Sequence, residues 1–344
     1  MDQALSYQDV YLVPQKGIVR RRAEADTSVT MLGYKFKAPW IPANMSDVIS
    51  PENCKWLAFN GYSYIMHRFA DTYSFVETAN KEQWPLISIS VGVNEIDRNL
   101  LQKIAQNNLR VDWITIDIAH GHSIMMEEMI AYIKSINFMS NLGSYSDRTE
   151  SRSVLLMPTS FNPSIIAGNI ATADAVKDLA YWGADAVKVG IAGGKVCSTK
   201  TQTGFHIPMF TCTLECYSFA ANKINIPIIA DGGIRETGDI PKALAAGATM
   251  VMAGSIFAAC KDGPGENVFE NNTLKYKRYH GSASEHQKGY KRYVEGFHTD
   301  LPCNGMTVEE KYQELSDGLS SAISYAGGID LSCLKLVDYV QHIR

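Results

Sequence analysis

Short runs of apolar, largely β-branched residues recur along the chain at residues 40–43, 62–66, 86–91, 113–118, 164–167, 186–191, 227–230 and 249–252. Each has the length of a strand, and helical-looking stretches separate them, which is the pattern of repeated βα units feeding a parallel sheet. Eight such units close into a (β/α)8 TIM barrel more naturally than they extend an open sheet. The predicted fold is therefore α/β, with residues 1–344 as a single barrel domain. No GxGxxG opens a helix after the first run, which disfavours a Rossmann dinucleotide domain.

Polar residues or glycines stand at or just past the ends of these runs: Asn44, Arg68, Gly92, Asp117, Asn169, Gly190, Asp231 and Gly254. In a barrel the C-terminal strand ends converge on one face, where barrel enzymes place their chemistry. Two segments interrupt the pattern. Residues 137–162 are polar, Ser-rich and longer than an ordinary connection, and read as a surface insertion. Residues 281–305 read as a lid over the active-site face. Near the end, Val308, Tyr312, Leu315, Leu319 and Ile323 have the spacing of a closing helix.

Composition narrows the function. With 344 residues, 46% of them hydrophobic, the chain can bury a large core. A net charge of -4 without a dense basic run leaves no footprint for nucleic acid. Lys288, Lys291 and Arg292 form only a small basic patch, read either as a solvated loop or as part of a lid over an anion. No stretch reaches the ~18–20 apolar residues of a membrane span, and the first residues lack the order of a secretion signal, so a cytoplasmic protein is expected. The seven scattered cysteines suit a reducing compartment. Cys212 and Cys216 are four apart, but nothing nearby completes a zinc site, so burial on one helix face is expected.

The densest chemistry lies in KVGIAGGKVCSTKTQTG, residues 188–204, where an apolar strand delivers a glycine-rich loop carrying Cys197 and, two residues later, Thr199. Lys188, Lys195 and Lys200 flank that cysteine and supply the positive charge that favours a thiolate nucleophile; an inert loop cysteine is the alternative. ADGGI at 230–234 and AGS at 253–255 resemble the phosphate site after the seventh and eighth strands of many barrels. The amides of Gly232, Gly233, Gly254 and Ser255 would cradle the phosphate, although each glycine alone would also suit a tight turn. Asp231 can accept both hydroxyls of a ribose or cap a helix. IDIAHGHS at 116–123 adds the strand-end acid Asp117, with His120 and His122 behind it.

Taken together, these segments resemble the family shared by IMP dehydrogenase and GMP reductase. The resemblance extends through ANM at 43–45, YIMHRF at 64–69, ISISVGV at 87–93, IAGNIAT at 166–172, IIADGGIR at 228–235 and SSAISYAGG at 320–328, and so covers nearly the whole chain apart from the insertion. GSASEHQKGYKRYVEG at 281–296 and IDIAHGHS are most similar to the bacterial-type GMP reductase branch. ISISVGV also runs on without the regulatory domain usual in IMP dehydrogenase, and the lid is short. The Arg292–Tyr293 pair echoes the IMP dehydrogenase flap, but its surroundings do not match.

The resemblance implies NADPH-dependent reductive deamination of GMP to IMP and ammonia through a thioimidate on Cys197, with Thr199 and Glu295 moving the proton. It implies phosphate at Gly232, Gly233, Gly254 and Ser255, ribose at Asp231, and substrate contacts from Gly281, Ser282, Ala283, Arg292 and Gly296. It places the NADPH nicotinamide beside Asp117, Ile118, Ala119, Gly190 and Ile191, with further cofactor contacts expected within the stretch from Ile228 to Val251. It also implies a homotetramer and a monovalent cation, potassium, on the carbonyls of Ala192, Gly194 and Cys197. One departure bears on that cation: Ala192, Gly193 and Gly194 replace the family's glycine-proline-glycine, so loop stiffness is altered. IMP dehydrogenase, or a purine-nucleotide-binding barrel without turnover, are the competing readings.

Overall fold

The structure, a computed structural model, describes residues 3–138, 162–289 and 291–342. Seven of the expected runs form strands: β1 Trp40–Pro42, β2 Ser88–Val91, β3 Trp113–Asp117, β4 Ser164–Ile170, β5 Ala186–Val189, β6 Ile228–Asp231 and β7 Met250–Ala253. They pair in parallel in the order β1-β7-β6-β5-β4-β3-β2. Parallel strands covered on both faces read as continuous apolar runs, and β2, β5 and β7 are buried at every position.

The eighth position of the curled sheet departs from expectation. Residues 62–66 do not form a strand; only Met66 bridges to Ile89, with its N–H on Ser88 O at 3.0 Å and its carbonyl accepting from Ser90 N–H at 2.9 Å. Towards β1 a side chain substitutes for the backbone, Ser63 Oγ donating to Trp40 O at 3.1 Å. Aromatic side chains pack around this run. Tyr62 stacks on Trp56 at 5.7 Å and meets Tyr312 at 4.5 Å, and Tyr312 also packs on Trp40 at 5.8 Å. Tyr312 belongs to the closing helix Val308–Tyr325, whose residues Val308, Tyr312, Leu315, Leu319 and Ile323 are the buried ones, as the spacing predicts. Thr307 caps it, accepting from Glu310 N–H while the Glu310 carboxylate accepts from Thr307 N–H.

Helices alternate with the strands, including Glu95–Gln106, Ile124–Ser135, Ala173–Trp182 and Met209–Lys223. Cys212 and Cys216 sit on the last of these and are buried, as expected for a core face rather than a metal site. After β7 come three antiparallel strands, β8 Asn267–Glu270, β9 Thr273–His280 and β10 His298–Pro302; the segment expected as a lid, 281–305, takes in both the connection from β9 to β10 and β10 itself. Most of the expected insertion at 137–162 lies outside the described residues.

Packing between β4 and β5 has a consequence for stability. A Cβ added at Gly168 would lie 2.4 Å from Lys188 Cβ and 2.7 Å from Lys188 O. Gly168→Ala should therefore force the two strands apart at a cost of roughly 1–3 kcal/mol. Urea denaturation checks this through a lower midpoint with an unchanged slope.

Candidate active site

Lys188 lies at the centre of the C-terminal face. Its strand points it inward, and it is only 2% exposed. A buried ammonium requires partners, and Lys188 Nζ meets Asp117 Oδ1 at 2.8 Å and Asp231 Oδ2 at 2.6 Å. The same Asp231 oxygen accepts from Asn169 Nδ2 at 2.8 Å, and Asn44 Nδ2 donates to Asp117 Oδ2 at 3.0 Å. Ends of β1, β3, β4, β5 and β6 thus share one hydrogen-bonded network. Burial disfavours the charge on Lys188, but the two carboxylates outweigh it and raise its pKa. Burial likewise opposes ionisation of Asp117, yet Lys188 outweighs it and holds the pKa below the usual carboxylate value. The expectation that Lys188 stabilises the thiolate is therefore corrected: its charge is committed to two aspartates.

Cys197 follows β5 on a loop that joins the lid by backbone pairing. Cys197 and Gly296 form an antiparallel bridge, Ser198 N–H donates to Glu295 O at 2.9 Å, and Phe297 N–H donates to Val196 O at 3.1 Å. On the lid side, Glu295 N–H donates to Ala283 O at 3.1 Å and Gly281 N–H to Phe297 O at 2.9 Å. Glycine is required where these chains cross, because a Cβ on Gly281 would stand 2.7 Å from Val196 O. The pairing brings three side chains into line. Cys197 Sγ is 3.2 Å from Thr199 Oγ1, which donates to Glu295 Oε2 at 2.7 Å. Ser282 and Ala283 lie on the same lid turn, whereas Arg292 is exposed and does not line the cleft around Cys197.

That cleft has a volume of about 740 Å³ and is bounded by Gly193, Gly194, Cys197 and Ser255, with Phe297 and Leu301 among its apolar residues. Gly232 and Gly233 adopt positive φ, 100° and 79°, but their amides are already engaged: Gly232 N–H donates to Met252 O at 3.2 Å and Gly233 N–H to Gly193 O at 3.0 Å. They position the Gly193 loop instead of presenting free donors, a correction to the reading of all four amides as a phosphate cradle. Among the described residues, the Gly254 and Ser255 amides have no such backbone partner. Tyr279, which the sequence did not single out, covers this corner: a Cβ on Gly254 would lie 2.2 Å from its hydroxyl. In β9 it is buried between the half-buried Arg278 and His280.

Near Asp117, Ile118 N–H donates to Gly168 O at 3.0 Å, while Ala119 and His120 are exposed. His122 is turned outward to Asp178, at 2.9 Å. Gly190 N–H donates to Ile170 O at 2.7 Å, and its carbonyl accepts from Asn169 Nδ2 at 2.7 Å. Ile191 O pairs with His206 Nδ1 at 2.8 Å. Asn169 Oδ1 is left buried without a hydrogen-bond partner, an acceptor suited to a donor on a bound molecule.

The stretch expected to add cofactor contacts is corrected at both of its ends. Ile228 and Val251 are buried within β6 and β7, 1% and 0% exposed. Val251 pairs with Trp40 on one side and Ala230 on the other, and its N–H donates to Pro39 O at 2.8 Å. A side chain in the barrel wall with its backbone committed to both neighbouring strands has nothing to offer a cofactor. Within the stretch, Gly233 and Arg235, beyond the end of β6, line hollows on the active-site face. The carbonyl trio expected to hold potassium also fits less well. Gly194 O closes a turn with Cys197 N–H at 3.3 Å, and Ala192 adopts φ 61°.

Residues 4–142 and 147–343 match the IMP dehydrogenase / GMP reductase domain. The chain belongs to that family. Among its relatives, a protein named GMP reductase from Mesoplasma florum is 45% identical over 339 residues, covering 98% of this chain and 97% of that protein. Proteins of the same name from Clostridium acetobutylicum and Helicobacter pylori are each 44% identical, over 343 and 340 residues, with 99% and 98% of this chain and 96% and 95% of those proteins covered. The family assignment agrees with the α/β barrel architecture and with the resemblance read from the motifs.

The Lys188 network predicts a pH dependence of stability. Asp117 is depressed, so its contribution is complete above about pH 5 and is lost as pH falls through its folded pKa. Lys188 is raised, so its contribution is complete below about pH 10 and is lost as pH rises through its folded pKa. Lys188→Met leaves two carboxylates facing each other without their cation and should cost about 3–5 kcal/mol at neutral pH. Unlike the wild type, this variant should gain thermal stability as the pH is lowered from about 8 to about 5, because protonation then relieves the repulsion.

Proposed function

We propose that the protein is a GMP reductase, an oxidoreductase that converts GMP to IMP and ammonia at the expense of NADPH. The observation that carries this reading is the continuous chain Cys197 Sγ, Thr199 Oγ1, Glu295 Oε2 at 3.2 and 2.7 Å. A threonine hydroxyl has one proton, and here it is donated to Glu295. Cys197 S–H therefore donates to Thr199, and the chain has the polarity of a proton relay from thiol to carboxylate.

The chemistry follows. Glu295 takes the Thr199 proton as Thr199 takes that of Cys197, leaving a thiolate and a neutral carboxylic acid. Sulfur bonds to C2 of the purine, and the C2–N π pair moves onto the ring nitrogen. The same proton then returns through Thr199 to the 2-amino group, the C2–N bond to that group breaks, and ammonia leaves as the ring nitrogen restores the double bond of a thioimidate. NADPH, when bound, supplies the hydride that reaches C2. The C2–S bond then breaks with its electrons on Cys197, which takes a proton from water, and IMP is released.

Binding roles are assigned on the same reading. Asp231 Oδ2 is committed to Lys188 and Asn169, which leaves Oδ1 for the ribose hydroxyls. Gly254 and Ser255 face the phosphate, with Gly232 and Gly233 shaping the loop beneath it. Gly281, Ser282, Ala283 and Gly296 border the purine edge. Asp117, Ile118, Ala119, Gly190 and Ile191 border the nicotinamide, with the unpartnered Asn169 Oδ1 supporting the fit of a molecule that donates there. No step is routed through potassium. We also assign a cytoplasmic homotetramer. Free cysteines suit that compartment, and Ile96 and Tyr181, 83% and 90% exposed, suit burial between subunits.

Loss of reduced-nicotinamide absorbance with GMP and NADPH, and no gain with IMP and NAD⁺, is the expected result; the opposite pattern would make the protein an IMP dehydrogenase. Cys197→Ala should abolish turnover while retaining nucleotide binding, and its continued turnover would contradict the covalent route. Glu295→Gln and Thr199→Val should each lower kcat by about 10²–10⁴-fold.

A further inference from the structure

The Cys197 cleft is electrostatically one-sided. Lys195, Lys200, Arg235 and Lys311 line it, and no aspartate or glutamate does. Lys311 is already paired with Glu314 at 2.8 Å. Among the described residues, no carboxylate pairs with the side chains of Lys195, Lys200 or Arg235, all three of which are exposed. Lys200 and Arg235 also line an adjoining cavity of about 230 Å³, where the carboxylate is that of Asp9, whose Oδ2 accepts from Ser6 N–H at 2.8 Å; the cleft around Cys197 itself has only the positive side chains. Like charges gathered in one concavity raise its potential and favour an anion there.

A phosphate monoester is largely a dianion at neutral pH, since its second pKa is about 6. The Gly232 and Gly233 amides, which the loop sequence offered to it, donate to Met252 O and Gly193 O. Gly254 and Ser255 alone would leave much of a dianion's charge unmatched. Lys195, on the cysteine loop, and Arg235, on the segment after β6, line the same cleft.

We propose that Lys195 and Arg235 form a side-chain clamp on the 5′-phosphate, so that charge as well as backbone amides selects a nucleotide over its nucleoside. This rests on the purine-nucleotide reading above. Arginine offers a planar fork of donors to phosphate oxygens, and lysine a point charge.

The test is the ratio of guanosine to GMP dissociation constants, measured calorimetrically on the full chain for wild type, Lys195→Gln, Lys195→Arg and Arg235→Gln, with thermal melts confirming folding. The ratio should fall about tenfold or more in each glutamine variant, through weaker GMP binding at unchanged guanosine affinity. Lys195→Arg should restore it. An unchanged ratio in the glutamine variants, or an equal loss in Lys195→Arg and Lys195→Gln, would overturn the clamp. GMP that binds with the expected ratio but oxidises no NADPH would instead overturn the proposed reaction and leave the clamp standing.

Discussion

One buried ammonium organises the active-site face. Lys188 reaches two carboxylates from different strand ends, at 2.8 and 2.6 Å, and without that cation the two carboxylates would face each other uncompensated. The network constrains more than its three ions. Asn169 is held between Gly190 O and Asp231, and Asn44 is held against Asp117. The loops that leave these strands therefore start from fixed positions, and the glycine at 168 clears the space that Lys188 crosses. Burial against a well-packed sheet gives the network its rigidity, while its charge gives the sheet one preferred arrangement of strand ends.

Chemistry is carried further out, where rigidity has to come from another source. Cys197 and Glu295 belong to segments separated by almost a hundred residues. Backbone pairing between the cysteine loop and the lid aligns them, through the Cys197–Gly296 bridge and the Ser198–Glu295 hydrogen bond. The Thr199 hydroxyl then spans the remaining distance. Because its one proton points to Glu295, the hydrogen-bonded chain has a direction in the resting protein, and on the proposed route the acid formed on generating the thiolate would protonate the departing amine. On the clamp proposed above, the lysine and arginine lining the cleft would favour an anionic end on the molecule that reacts.

Much of this is legible in the sequence because it rests on local patterns. Seven apolar runs become strands, since a strand covered on both faces needs only continuous hydrophobicity. Residues 62–66 resemble them but form a single bridge, and an apolar run does not record which backbone groups find a partner on the neighbouring strand. Cys197, Thr199 and Glu295 are identified by family motif, and the structure brings them together; their spacing alone does not reveal the hydrogen-bonded order. Lys188 reads in sequence as a partner of the cysteine, but proximity along the chain is not proximity of charge: alternation along β5 turns it to the two aspartates. The engaged amides of Gly232 and Gly233 are hidden for a similar reason, since a glycine pair records permissive backbone but not the carbonyl it meets. Val251 shows the limit of marking a site by a stretch of chain, because a span that begins and ends inside strands takes in wall residues along with the loop between them.

The most direct test of the account is whether Cys197 displaces the amine before any hydride moves. Protein incubated with GMP and oxidised nicotinamide dinucleotide phosphate, with no reductant present, should release ammonia up to one equivalent per active site and show a purine nucleotide adduct on the Cys197 peptide by mass spectrometry. Ammonia release that requires NADPH, with no adduct on Cys197, would contradict it.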